Sequence, residues 1–153
     1  MNKFSLPFFL VAAFLSASIN AQQGAPNGEW PTYGGDLGHT RYSGLNQIDA
    51  SNFSDLTVAW EFNAANFGPS PEYRFQSTPL MVNGKIYSTA GSRRSVVSLD
   101  AATGELLWFY NLDEGERGQN APRQLSGRGL AYWQADDEER VVYVTPGYQM
   151  VAL

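Results

Sequence analysis

The sequence predicts an all-β chain folded as a β-propeller, and three observations predict it. Short strand-like segments follow one another closely, tight-turn signals separate them, and several segments recur after about 50 residues, the spacing of a propeller blade. Composition agrees: 153 residues include 15 glycines, 8 prolines and 14% aromatic side chains, the turn formers and flat rings that pleated sheets use. A β-sandwich with coincidental internal similarity is the competing architecture.

The N-terminus is read separately from the fold. Lys3 precedes an apolar run over residues 6–15, too short to span a bilayer, and small or polar residues then lead to Ala21. That order of basic, apolar and small-residue regions predicts a secretory signal over 1–21, cut after Ala21, and a bacterial periplasm as the simplest destination. An uncleaved anchor is the alternative, although no stop-transfer charges follow. Residues 22–153 then form the propeller domain.

Along that domain, residues 22–28 are a polar lead-in, and residues 30–36 are a turn-rich stretch whose two rings, Trp30 and Tyr33, need cover. Residues 48–56 carry Asp, Ser and Asn caps for one short helical turn. Residues 56–62 alternate as a strand. Residues 79–82 and 85–89 also alternate, and Asn83-Gly84 between them is the strongest short hairpin signal. Residues 96–99 and 106–110 form the next pair, turned by residues 100–104. Repeats fix the architecture: Ile86-Tyr87-Ser88-Thr89-Ala90-Gly91 recurs as Val142-Tyr143-Val144-Thr145-Pro146-Gly147, offset by 56. Val97-Ser98-Leu99 recurs as Val151-Ala152-Leu153, offset by 54, and Trp60-Glu61-Phe62 echoes Trp108-Phe109-Tyr110 at 48.

Several function classes are excluded or set aside. A net charge of −5 without a basic stripe argues against a nucleic-acid partner, because phosphate binding needs clustered Lys and Arg. Zero cysteines remove disulfides, thiolate metal sites and a Cys nucleophile. His39 is the single histidine, so no cage of several histidines can form within the sequence, and His39 reads as a loop residue. Gly127-Arg128-Gly129 lacks the third glycine and the helix of a dinucleotide fingerprint. The acidic run 136–139 followed by Arg140 reads as a solvated hairpin tip, since it lacks alternating calcium-ligand spacing. Arg93-Arg94 either meets a ligand or covers a blade top.

The turn Ser98-Leu99-Asp100-Ala101-Ala102-Thr103-Gly104-Glu105-Leu106-Leu107-Trp108 resembles the tryptophan-docking motif A-x-D-x-x-T-G-x-x-x-W of quinoprotein dehydrogenases, departing only at Ser98. The spacing has a physical reason: Asp100 caps the turn through backbone amides, Gly104 takes a positive φ, and the strand delivers Trp108 to a blade interface. Asp100, Thr103, Gly104 and Trp108 are therefore structural. A second copy begins at Ala152. Residues 30–35, 39–45, 75–80 and 126–133 resemble the opening, first inner strand and cofactor-facing segment of the same family.

The resemblance implies an eight-bladed propeller, with its first two to three blades in residues 22–153. It implies pyrroloquinoline quinone (PQQ) and calcium as cofactors, a sugar, polyol or alcohol substrate, and a quinone or other electron acceptor. It assigns Gln76 and Arg128 to the cofactor. Gln76 stands where the family commonly has Glu; its amide still donates and accepts but adds no charge. Arg128 offers a planar fork suited to a carboxylate, and an ordinary salt bridge is its other use. The paired cysteines of the alcohol-oxidising branch are replaced by Pro122 and Arg123, which favours glucose-type substrates. The catalytic base and the calcium ligands are expected beyond residue 153, so no catalytic residue is assigned, and residues 22–153 alone are expected to be inactive. A non-enzymatic propeller of the same repeats, a binding or assembly scaffold, is the alternative function.

Overall fold

The computed structural model describes residues 24–153, so the expected signal over 1–21 and the start at Gln22 lie outside the described residues. Among the described residues, seven strands form two antiparallel sheets. The first sheet is a four-stranded meander of β1 (Leu80–Val82), β2 (Lys85–Ala90), β3 (Ser95–Asp100) and β4 (Leu106–Tyr110). A four-residue helix, α1 (Glu116–Gln119), lies in the connection to the second sheet, β5 (Ala131–Ala135), β6 (Glu138–Val144) and β7 (Met150–Ala152). One four-stranded blade and three strands of the next are thus present. The repeated segments 86–91 and 142–147 begin on β2 and β6, each the second strand of its blade.

Local turn chemistry sets the hairpins. Asn83 and Gly84 adopt φ 50° and 74°, the two left-handed residues that a two-residue hairpin matching strand twist requires. They set Val82 opposite Lys85. Asp136, at φ 51°, begins the exposed β5–β6 turn, so the acidic run sits at a hairpin tip. Glu139 from that run reaches back to Lys85 of the first blade at 3.3 Å and accepts from the Tyr132 hydroxyl at 2.9 Å. Burial and this bond push the Tyr132 phenol up to about 12.

The central strand β3 is covered on both faces. Val96 joins Leu80, Val82 and Tyr87 against Val141 and Tyr143 of the second blade, forming the inter-blade core. Val97 and Leu99 point the other way, with Ala90, into a cluster covered by Trp60, Phe62 and Phe67. The covering segment corrects one expectation. Residues 56–62 form no strand, because no ladder partner lies beside them among the described residues, although Trp60 and Phe62 still turn inward as alternation requires. The expected helical turn near 48–56 is a short 3-10 turn, Phe53–Asp55. Trp30 is tied to β1 by reciprocal backbone bonds with Met81 at 2.7 and 3.1 Å, while Tyr33 stays half exposed beside Arg41.

The docking turn is built from its own side chains. Asp100 Oδ1 accepts from the amides of Ala102 and Thr103 at 3.0 and 2.8 Å and from the Thr103 hydroxyl at 3.0 Å. These bonds hold the Asp100 carboxyl below its ordinary value. Gly104 has φ 74°, and Trp60, rather than Trp108, lies on it: a Cβ there would meet the indole at 2.5 Å. Trp60 Nε1 donates to the Ala101 carbonyl at 3.1 Å. Trp108 lies on the opposite side of the blade, its ring 6.0 Å from Tyr87 and lining a cavity with Leu153.

Candidate functional site

The blades approach each other at their first strands, where Thr78 bridges Gly129 in parallel register. In a propeller those strands surround the central channel. The approach carries both sequence-predicted cofactor residues. Gln76 lies two residues before Thr78, and Arg128 directly precedes Gly129. The Gln76 backbone N–H donates to Ser126 Oγ at 3.3 Å, which ties their two segments together.

Behind these residues is a buried network of hydroxyls. Ser126 is fully buried; its amide donates to Glu72 Oε2 at 2.9 Å and its carbonyl accepts from Thr89 Oγ1 at 2.6 Å. Thr89 Oγ1 also lies 2.9 Å from Ser77 Oγ. The single Thr89 proton is committed to Ser126, so Ser77 supplies the proton of that second bond. Ser77 Oγ in turn accepts from the Thr89 amide at 3.2 Å. Every polar atom of the Ser126 backbone and side chain is thereby engaged, and the peptide before Gly127 and Arg128 is fixed from the first blade.

Arg94 closes the other side. It leaves the β2–β3 turn and donates from Nε to the Leu125 carbonyl at 3.1 Å, from one terminal nitrogen to Arg123 at 3.1 Å and from the other to Val144 at 2.8 Å. Burial lowers its pKa and the nearby Glu114 opposes the shift, but a guanidinium stays charged in either case. Of the two readings for Arg93-Arg94, Arg94 covers the blade top, and Arg93 pairs with Asp113 at 3.0 Å on the surface. A parallel clasp uses Glu114, whose carboxylate accepts from the Thr145 hydroxyl at 2.6 Å, the Gly147 amide at 2.7 Å and the Gln149 side chain at 2.8 Å. Burial pushes the Glu114 carboxyl up, yet these bonds hold it below its ordinary value. Sequence reading missed Glu114 and the use of Arg94, since their partners lie 29 to 50 residues away.

Gln76 and Arg128 differ from this network. Both side chains are exposed, and neither makes a hydrogen bond or ion pair with any described residue. The salt bridge considered for Arg128 is therefore not formed among the described residues. Arg74, Arg93, Arg94, Arg117 and Arg123 lie with Arg128 in the segments at this end of the sheets, while the acidic tip 136–139 lies at the other. A free fork and a free side-chain amide, on backbones fixed from behind, suit a ligand with carbonyl and carboxylate oxygens. The cavity of about 770 Å³ under Trp60 and Phe62 has a largely apolar floor and includes neither residue. No group of three or more His, Cys, Asp or Glu side chains able to hold a metal occurs among the described residues, so calcium is assigned no ligand here.

Sequential antiparallel blades whose first strands approach each other define a β-propeller. Residues 30–153 match the family described as PQQ: glucose/ethanol/alcohol dehydrogenase, beta-propeller domain, and the chain belongs to that family. It is 37% identical over 122 residues to the dehydrogenase subunit of the quinone-type alcohol dehydrogenase of Gluconobacter oxydans (strain 621H), covering 77% of this chain and 15% of that protein. It is 30% identical over 109 residues to the glycerol dehydrogenase large subunit of Gluconobacter thailandicus, covering 69% and 14%. A europium-containing methanol dehydrogenase superposes with a TM-score of 0.64 at 26% identity, covering 82% of this chain and 21% of that one. The chain spans about one seventh of the length of these two curated relatives.

Proposed function

We propose that this chain supplies the opening blades of a PQQ-dependent dehydrogenase that oxidises an alcohol or polyol and passes the electrons to a quinone or another acceptor. The observation that carries the proposal is Arg128: an exposed guanidinium with no hydrogen-bond or ion-pair partner among the described residues, on a fixed backbone, in a family whose description names PQQ. The glucose-type preference expected from Pro122 and Arg123 gains no support from the two relatives, which are an alcohol and a glycerol dehydrogenase.

The residues fit the cofactor at one edge. Arg128 would take a carboxylate of the quinone through its planar fork, and Gln76 would donate to, or accept from, an oxygen or ring nitrogen beside it. When bound, PQQ supplies the two-electron acceptor for the substrate carbon. The chain's own residues orient it. Ser126, Thr89 and Glu72 keep the Arg128 backbone in place. The catalytic base and metal ligands belong to sequence beyond residue 153 in this proposal. Removal of residues 1–21 during secretion would place the enzyme in the periplasm. An assembly scaffold would have no use for an unpaired Arg128 at the channel edge.

The test is PQQ titration of the complete polypeptide carrying this segment. Replacing Arg128 with Ala should weaken binding by about tenfold or more, and Arg128→Lys should recover only part of the loss, because an ammonium cannot form the two parallel bonds of the fork. Identical titrations for wild type and Arg128→Ala would remove Arg128 from the cofactor site.

A further inference from the structure

We propose that Arg94 is a positioning residue for cofactor binding, locking residues 123–127 so that Arg128 is presented from a fixed backbone. The inference rests on the PQQ-binding reading above. The connection from Asn120 to Leu130 contains no helix or strand, so its position depends on what grips it. On the C-terminal side Ser126 is held by Glu72, Thr89 and the Gln76 amide. On the N-terminal side the Arg123 and Leu125 carbonyls both go to Arg94, at 3.1 Å each. The remaining terminal nitrogen of Arg94 reaches Val144 at the end of β6. One side chain from the first blade thus binds the loop and the second blade together.

The chemistry is specific to a guanidinium at this place. Three carbonyls arranged around one plane match its fixed donors, whereas a lysine ammonium presents its protons from a single atom. Gly127, with φ 75°, lies directly against the group: a Cβ there would stand 2.6 Å from Arg94 Nε. Arg94 forms no ion pair with a described carboxylate, and its donors go to the Arg123, Leu125 and Val144 carbonyls instead. Covering the blade top is only part of what Arg94 does, because the same side chain grips the segment that carries Arg128. Arg94 acts through Arg128.

The experiment compares wild type with Arg94→Lys, Arg128→Ala, the double variant and Glu114→Gln, all in the complete polypeptide. PQQ affinity is measured by titration without substrate, and amide hydrogen exchange is followed over residues 123–128 in the cofactor-free protein. Arg94→Lys should speed exchange in that segment and weaken PQQ by about tenfold, at the lower end of what loss of an orienting partner costs at other sites. The double variant should bind no more weakly than Arg128→Ala alone, because the two residues act as one unit. Glu114→Gln, which loosens the other clasp between the blades, should lower the melting temperature and leave PQQ affinity unchanged. Unchanged exchange in Arg94→Lys, fully additive losses in the double variant, or an equal PQQ loss in Glu114→Gln would each overturn the proposal. A wild type that does not bind PQQ would instead refute the parent reading, and the exchange data would then decide by themselves whether Arg94 anchors the loop.

Discussion

Gly104→Ala tests the tightest contact between the docking turn and the rest of the chain. The residue sits at φ 74°, so any side chain incurs a left-handed backbone cost of about 1 kcal/mol. The new Cβ would lie 2.5, 2.6 and 2.9 Å from three indole carbons of Trp60, well inside the ~3.5 Å contact distance of carbon atoms, so the ring must retreat by about 1 Å. Retreat breaks the 3.1 Å bond from Trp60 Nε1 to the Ala101 carbonyl, worth about 1 kcal/mol. It also opens the packing of the ring over Ala90, Val97 and Leu99, a further loss of about 1 to 2 kcal/mol. The sum is about 3 to 4 kcal/mol, read from urea unfolding of the wild type and the variant. In a Trp60→Ala background the same substitution should cost only the backbone share, about 1 kcal/mol, because nothing remains to be displaced. A penalty that stays at 3 to 4 kcal/mol without Trp60, or one below 1 kcal/mol with it, would refute the docking argument.

Two further outcomes follow from the same contacts. Ser98 is fully buried and its hydroxyl has no hydrogen-bond partner, so Ser98→Ala should stabilise the protein by about 1 kcal/mol in the same unfolding assay; a loss of stability would show that the hydroxyl is satisfied. Glu114 has a folded-state pKa below its ordinary 4.5, so its contribution is present above that pH and is lost as pH falls through the folded value. Glu114→Gln should therefore lower the melting temperature at pH 7, and the gap from wild type should narrow as the pH falls below 4.5 and through the lowered folded-state value. A constant gap would mean that the carboxylate charge plays no part.

The parts of this molecule that depend on neighbours in the chain are legible in its sequence. Asn83-Gly84 selects a hairpin because both positions need left-handed backbone, and the turn from Asp100 to Gly104 closes on bonds spanning two or three residues. Strand alternation and the offset repeats follow from the same local periodicity, so the blades are readable too. Gln76 and Arg128 were reached through resemblance to a family, and their proximity required the Thr78–Gly129 bridge, which no local pattern encodes.

Long-range packing accounts for the rest. Residues 56–62 have a strand's alternation, but a strand needs a hydrogen-bonding neighbour, and those residues serve instead as an apolar cover over β3. Trp60 rather than Trp108 occupies Gly104, a pairing that only the path of the covering segment fixes. The partners of Arg94 and Glu114 are largely backbone groups across the blade interface, and backbone carbonyls and amides carry no signature in a sequence. Strands, turns and blade spacing are thus written in short stretches of sequence, whereas the folded chain sets which faces meet and which polar groups hold Arg128 in place, because those contacts join residues far apart along it.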